Sequence, residues 1–150
     1  MVAIAVPGPS TISPDTTLSG ARLQTPGMKK TINWFEIPAS DLERASRFYE
    51  TILGVTLEVG PFGPLTLAVF PYDQATATGG CLAAGPGFEP SANGAIVYLC
   101  AGESMDQAIA RVEAAGGAVI TPKTLLPDDM GAYAHIRDSE GNRVGLHALK

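Results

Sequence analysis

The spacing of apolar residues along this chain changes period several times, and each change marks an element. Leu42, Ala45, Phe48, Tyr49 and Ile52 recur three and four residues apart, the stripe of an amphipathic helix. Ser40-x-x-Glu43 fits a capping box at its start, and Gly54 supplies a left-handed stop. A second stripe, Met105, Ala108, Ile109 and Val112, opens at Ser104-x-x-Gln107 and ends at Gly116-Gly117. Runs rich in β-branched and aromatic residues predict strands around both helices. About the first they are Thr31 to Ala39, Thr56 to Gly60, Leu65 to Pro71 and Gly79 to Ala84, with Pro61-Phe62-Gly63-Pro64 and a Thr/Ala/Gly loop as separators. About the second they are Ala95 to Cys100, Ala118 to Thr121 and the two arms of a closing hairpin, with a loop from Pro122 to Gly131.

That hairpin, Gly131 to Lys150, turns at Asp138-Ser139-Glu140-Gly141-Asn142, where Gly and Asn are available for left-handed backbone. Alternate residues of a strand share a face. Tyr133, His135 and Arg137 therefore group on one arm and Arg143, Gly145 and His147 on the other, while Ala134, Ile136, Val144 and Leu146 face a core. The polar side is a solvated edge or a cavity wall. By the same alternation Trp34 and Glu36 oppose Phe35 and Ile37.

The two expected caps, Ser40 and Ser104, lie 104 − 40 = 64 positions apart, with corresponding strands around each helix, so the chain reads as an internal duplication of a strand-helix-strands unit. Module one covers residues 31–84, a Pro/Gly linker 85–94 and module two 95–150, together one α+β domain. Residues 1–30, rich in Pro, Ser, Thr and Gly and lacking either period, read as a flexible tail in which Met28 offers an alternative start.

Composition narrows the function. With 150 residues, 45 % hydrophobic and 17 % charged, one domain with a working core is expected. A net charge of −5 without a basic stripe argues against nucleic acid as a partner. No apolar run approaches the ~20 residues of a membrane span, and the opening MVAIAV lacks the basic flank and length of an export signal, so a cytoplasmic location is expected. Cys81 and Cys100 are expected as reduced thiols in strand interiors. No nucleophile elbow, phosphate loop, dinucleotide fingerprint or paired-cysteine metal motif is present.

The segment IPASDLERASRFYETILG and the closing RDSEGNRVGL, set in a repeated βαβββ order, resemble the vicinal oxygen chelate superfamily, which includes glyoxalase I, extradiol dioxygenases and bleomycin-resistance binding proteins. The likeness runs from about Thr31 to Lys150, and PKT…GAYAHIRDSEGNRVGLHA is similar to short glyoxalase-like members. The resemblance implies a cupped, half-open mixed sheet barrel whose concave side holds the ligand and, in the enzymes, a divalent metal. It places the metal ligands at Trp34, about Val97, at Leu82 or Ala83, and at Gly145. An indole donates only, and the other side chains offer no donor atom, so metal-dependent catalysis does not transfer and no cofactor is expected.

Other residues could serve the cup. Glu36 is a rim carboxylate, a partner for Arg137 or Arg143, or a general base if buried and unpaired. Glu36, His135 and His147 could form a displaced two-His-one-carboxylate metal site; the bland alternative is hydrogen-bonded structural histidines. Trp34 and Tyr98, with Phe70 and Phe62, are candidate aromatic lining or simply core. Lys123 to Gly131 (KTLLPDDMG), with Leu125, Leu126 and Met130, would suit a lid or a subunit interface, and self-association as a homodimer is what the resemblance implies. The expected function is metal-independent binding of a small organic molecule, with Trp34, Glu36, Tyr98, Tyr133, His135, Arg143 and His147 at the site. The rival is a lyase, isomerase or dioxygenase working through the relocated metal or through Glu36.

Overall fold

The computed structural model describes residues 31–149. Residues 1–30, which the sequence marks as a flexible tail, lie outside the described part. The elements in order are β1 (Trp34–Pro38), α1 (Leu42–Leu53), β2 (Glu58–Phe62), β3 (Leu65–Val69), β4 (Gly79–Ala84), β5 (Tyr98–Cys100), α2 (Met105–Val112), β6 (Ala118–Leu125), β7 (Ala132–Arg137) and β8 (Arg143–Ala148). They form two four-stranded mixed sheets of the same topology, β1-β4-β3-β2 and β5-β8-β7-β6, in which the first strand of each half lies parallel to the last. The α+β architecture is the expected one. The sheets do not pair with each other, so the barrel stays open along the seam between their edge strands β1 and β5.

Both helices bury their stripes in one core. Ala45, Phe48, Tyr49 and Ile52 of α1 and Met105, Ala108 and Val112 of α2 pack with Ile37, Leu82, Ile136, Val144 and Leu146 from the inner faces of the sheets. Each large side chain removed from water here is worth about 1.5 to 3 kcal/mol, enough to hold faces that neither sheet could cover alone. Gly54 stops α1 at φ +67, and its N–H donates to Glu50 O. The start of α1 differs from the sequence reading: the cap is Asp41, whose carboxylate accepts from Arg44 N at 2.9 Å, and not Ser40. The N–H of Ser40 is taken by Glu140, which shifts the cap one residue on. Ser104 caps α2 as expected.

The hairpin turn between β7 and β8 ties the two halves together. Glu140 carries its carboxylate, buried, to the N-terminus of α1, where Oε2 accepts from Ser40 N at 3.0 Å and Asp41 N at 2.9 Å. Arg44 Nε donates to Oε1 at 2.7 Å. Tyr49 Oη donates to Asp138 at 2.7 Å, and Asn142 Nδ2 donates to Pro38 O at 2.7 Å and to Asp138 at 2.9 Å. Gly141 takes the left-handed backbone (φ +99). Asn142 is buried as a bridge instead, with no positive φ.

Two prolines fall inside strands where separators are expected, Pro61 in β2 and Pro122 in β6. Both are edge strands, where a missing N–H interrupts no ladder on the open side. Irregular register in β6 lets it run on to Leu125, so the segment expected as a loop is the end of a hairpin. Its tip is a two-residue turn at Asp128 and Asp129, with φ of 53° and 56° and Met130 N donating to Pro127 O at 3.1 Å. Leu125 and Met130 are exposed there.

Candidate functional site

The faces of the sheets turned away from the helices carry the predicted residues, in two groups. On the first sheet Trp34 lies opposite Gly79 and Glu36 opposite Cys81. A Cβ on Gly79 would sit 2.6 Å from the Trp34 ring, so glycine is what lets the indole lie flat on the strand, edge-on to Tyr72. Glu36 is exposed and forms no ion pair with Arg137 or Arg143, contrary to the pairing considered above. Burial and then the Glu36 charge push the Cys81 thiol up to about 11, against a hydrogen bond with Trp34, so it is protonated and inert at neutral pH. Cys100 is exposed, because β5 is a short edge strand turned outward, and not interior as expected.

On the second sheet Tyr98, Tyr133, His135 and Arg143 are brought together. Tyr98 lies opposite Gly145, where a Cβ would sit 2.4 Å from its ring. The phenol crosses this glycine to reach the next strand but one, placing Oη 2.7 Å from His135 Nε2. Arg143 Nη2 and Thr121 Oγ1 each lie 3.2 Å from His135 Nδ1. The Tyr133 ring packs on the imidazole at 5.2 Å between centroids. His135 is buried, and burial followed by the Arg143 charge holds it below the ordinary histidine range. The Nε of Arg143 is buried without a partner among the described residues. Thr121 carries no sequence signal for this role, since it was read only as a strand end.

His147 stands apart: its Nε2 donates to Met130 O at 2.9 Å, fastening the β6–β7 tip to β8. Among the described residues no three His, Cys, Asp or Glu side chains come together in a way that could hold a metal ion, so Glu36, His135 and His147 are not a preformed ligand set. The register also revises the positions suggested by family resemblance. Tyr98, not Val97, is the counterpart of Trp34, since each begins its strand opposite a glycine. Leu82 faces the core, which leaves only Ala83 of that pair on the open side. At these positions Trp34, Ala83 and Gly145 offer no lone pair, and the single phenol oxygen of Tyr98 is engaged with His135 Nε2, so these residues do not fit the metal.

Along the seam lies a cavity of about 760 Å³ walled by Phe35, Phe70, Tyr72, Ile96, Tyr98 and Leu99. A smaller polar hollow of about 230 Å³ adjoins it through Ala95 and Val97 and holds Glu36, Glu89, Asn93 and Arg143. Trp34 and His135 do not line the large cavity, and Phe62 is exposed away from it on β2. Among the described residues no helix is long and apolar enough to cross a membrane.

An eight-stranded open cup built from two βαβββ halves defines a class that includes glyoxalases and binding proteins. The profile of the Glyoxalase/Bleomycin resistance protein/Dioxygenase superfamily matches residues 31–146, and the chain belongs to that family. No individually curated protein matches it. Glyoxalase I from Zea mays is similar at 22 % identity with a TM-score of 0.59, covering 78 % of this chain and 45 % of the maize protein, so this chain spans about half its length. A glyoxalase/bleomycin resistance protein from Streptomyces sp. CB03234 is 27 % identical with a TM-score of 0.56, covering 79 % of this chain and 100 % of that one. A glyoxalase-related enzyme from Fulvimarina pelagi, 16 % identical with a TM-score of 0.54 over 80 % of this chain and 88 % of that one, shares the fold.

Proposed function

We propose that this protein binds a small organic molecule, largely apolar in body, in the seam cavity, without the divalent cation of the family's enzymes. The observation that carries this reading is the cavity itself, about 760 Å³ with walls of aromatic and aliphatic side chains, a size and character suited to small-molecule ligands. The donor chemistry supports the second half: Trp34, Ala83 and Gly145 stand where cation ligands would be needed and offer none, and the Tyr98 oxygen is taken up by His135. Tyr98 borders this cavity, Glu36 and Arg143 border the adjoining polar hollow, and Trp34, Tyr133 and His135 lie on the open sheet faces beyond them.

The test is a fluorescence titration with the neutral apolar probe N-phenyl-1-naphthylamine. The native chain is expected to bind one equivalent saturably, and Ala95→Trp, which places an indole in the cavity wall, to lose that binding while keeping its circular dichroism spectrum. Binding left intact in Ala95→Trp would place the probe elsewhere and overturn the reading. So would a stoichiometric divalent metal, found by elemental analysis after incubation with Mn²⁺, Fe²⁺ and Zn²⁺ followed by desalting.

A further inference from the structure

Among the polar groups that border the seam cavity, Tyr98 has a hydrogen-bond direction that follows from its neighbours. His135 Nδ1 faces Arg143 Nη2 at 3.2 Å. A guanidinium nitrogen only donates, so a proton on Nδ1 would point at another proton. Nδ1 is therefore the acceptor, shared with the Thr121 hydroxyl on its other side. In a neutral imidazole the single proton then sits on Nε2, and it is donated across 2.7 Å to Tyr98 Oη. Tyr98 Oη thus already accepts, and its own O–H must be directed elsewhere. The Tyr98 ring borders the large cavity and is 49 % exposed. No other described group is recorded in hydrogen-bond contact with this hydroxyl.

We propose that Tyr98 is the donor that selects ligands of the seam cavity for an oxygen acceptor, a carboxylate, sulfonate, enolate or carbonyl, and that Arg143 is the positioning residue that frees its proton by fixing His135 as the Nε2–H tautomer. The proposal rests on the cavity reading above and adds the chemical class of the ligand: an apolar body with an oxygen-bearing head. Two cross-strand features serve it. Gly145 leaves the space over which the Tyr98 ring lies, and Tyr133 holds the imidazole plane from the side.

Two probes of nearly the same shape separate the ideas: neutral N-phenyl-1-naphthylamine and its sulfonated counterpart 8-anilino-1-naphthalenesulfonate. The native chain should bind the sulfonate at least as tightly as the neutral probe. A hydrogen bond to a charged acceptor is worth about 1.5 to 3 kcal/mol, so Tyr98→Phe should weaken the sulfonate about ten- to a hundredfold and the neutral probe less than about twofold. Long-range proton–nitrogen correlation spectra of the native protein should show His135 protonated on Nε2 and bare on Nδ1 at pH 7. Arg143→Met should bring in the other tautomer and reduce the preference for the sulfonate. Equal loss of both probes in Tyr98→Phe, or a His135 proton on Nδ1 in the native chain, overturns the donor role and leaves the cavity reading standing. Failure of the native chain to bind either probe removes both.

Discussion

Glu140 is a carboxylate from the second half of the chain buried at the start of the first half's helix, and its replacement tests how the two halves are joined. Glu140→Ala removes the acceptor of two backbone N–H groups, Ser40 and Asp41, and of the Arg44 guanidinium. Arg44 is half exposed, so its ion pair is screened by solvent and adds little. The carboxylate at the positive end of α1 adds about 0.3 to 1 kcal/mol. Ser40 and Asp41 are exposed, so water can partly replace the carboxylate, and losing each amide hydrogen bond costs about 0.5 to 1 kcal/mol. The sum, about 2 kcal/mol, should be read in urea unfolding as a lower midpoint at unchanged slope, and in calorimetry as a Tm about 7 °C lower. Glu140→Gln keeps an oxygen for the amides and should lose about half as much. Burial pushes the Glu140 pKa up, but the Arg44 hydrogen bond, the Asp41 amide, the Arg44 charge and the Ser40 amide together outweigh it and leave the pKa lowered. The contribution is therefore fully present above the ordinary glutamate value of about 4.3 and is lost as pH falls through the lower folded value. The gap between native and Glu140→Gln should close on acidification. A Glu140→Ala protein within about 0.5 kcal/mol of native at pH 7 would refute the account.

Asp129→Gly should stabilise the fold by about 0.5 to 1 kcal/mol, since Asp129 holds φ of 56° at the second central position of the β6–β7 turn, where glycine carries no Cβ penalty; differential scanning calorimetry reads it as a higher Tm. Tyr49→Phe should cost about 2 kcal/mol in urea unfolding without altering the far-ultraviolet spectrum, because it strips a donor from the Asp138 carboxylate in the core.

The helices and their inward stripes were legible because period 3.6 is local: Phe48, Tyr49 and Ile52 need only each other's spacing to declare a buried face. The faces of the hairpin were legible for the same reason, and His135 and Arg143 do share one. Period two gives a face but not a partner. That Tyr98 reaches His135 depends on the parallel register of β5 with β8, which is set by a crossover through α2 and written in no short stretch of sequence. Glu140 and Asn142 read as turn formers, since nothing local says that a turn will be pressed against a helix about a hundred residues earlier. The cap falls on Asp41 and not Ser40 for that reason: the Ser40 amide is committed to a residue from the far end of the chain. His147 shares a face with Arg143 in the sequence, but the reach of Met130 O from the neighbouring hairpin decides its use.

The tyrosine laid over Gly145 limits how the chain can change. A carboxylate introduced at 145 meets the aromatic ring before its own second carbon is placed, since even a bare Cβ would stand 2.4 Å away. Replacing Tyr98 first uncovers a glycine strand and unseats His135. A carboxylate at 145 therefore requires Tyr98 to be replaced as well, so the two positions are coupled.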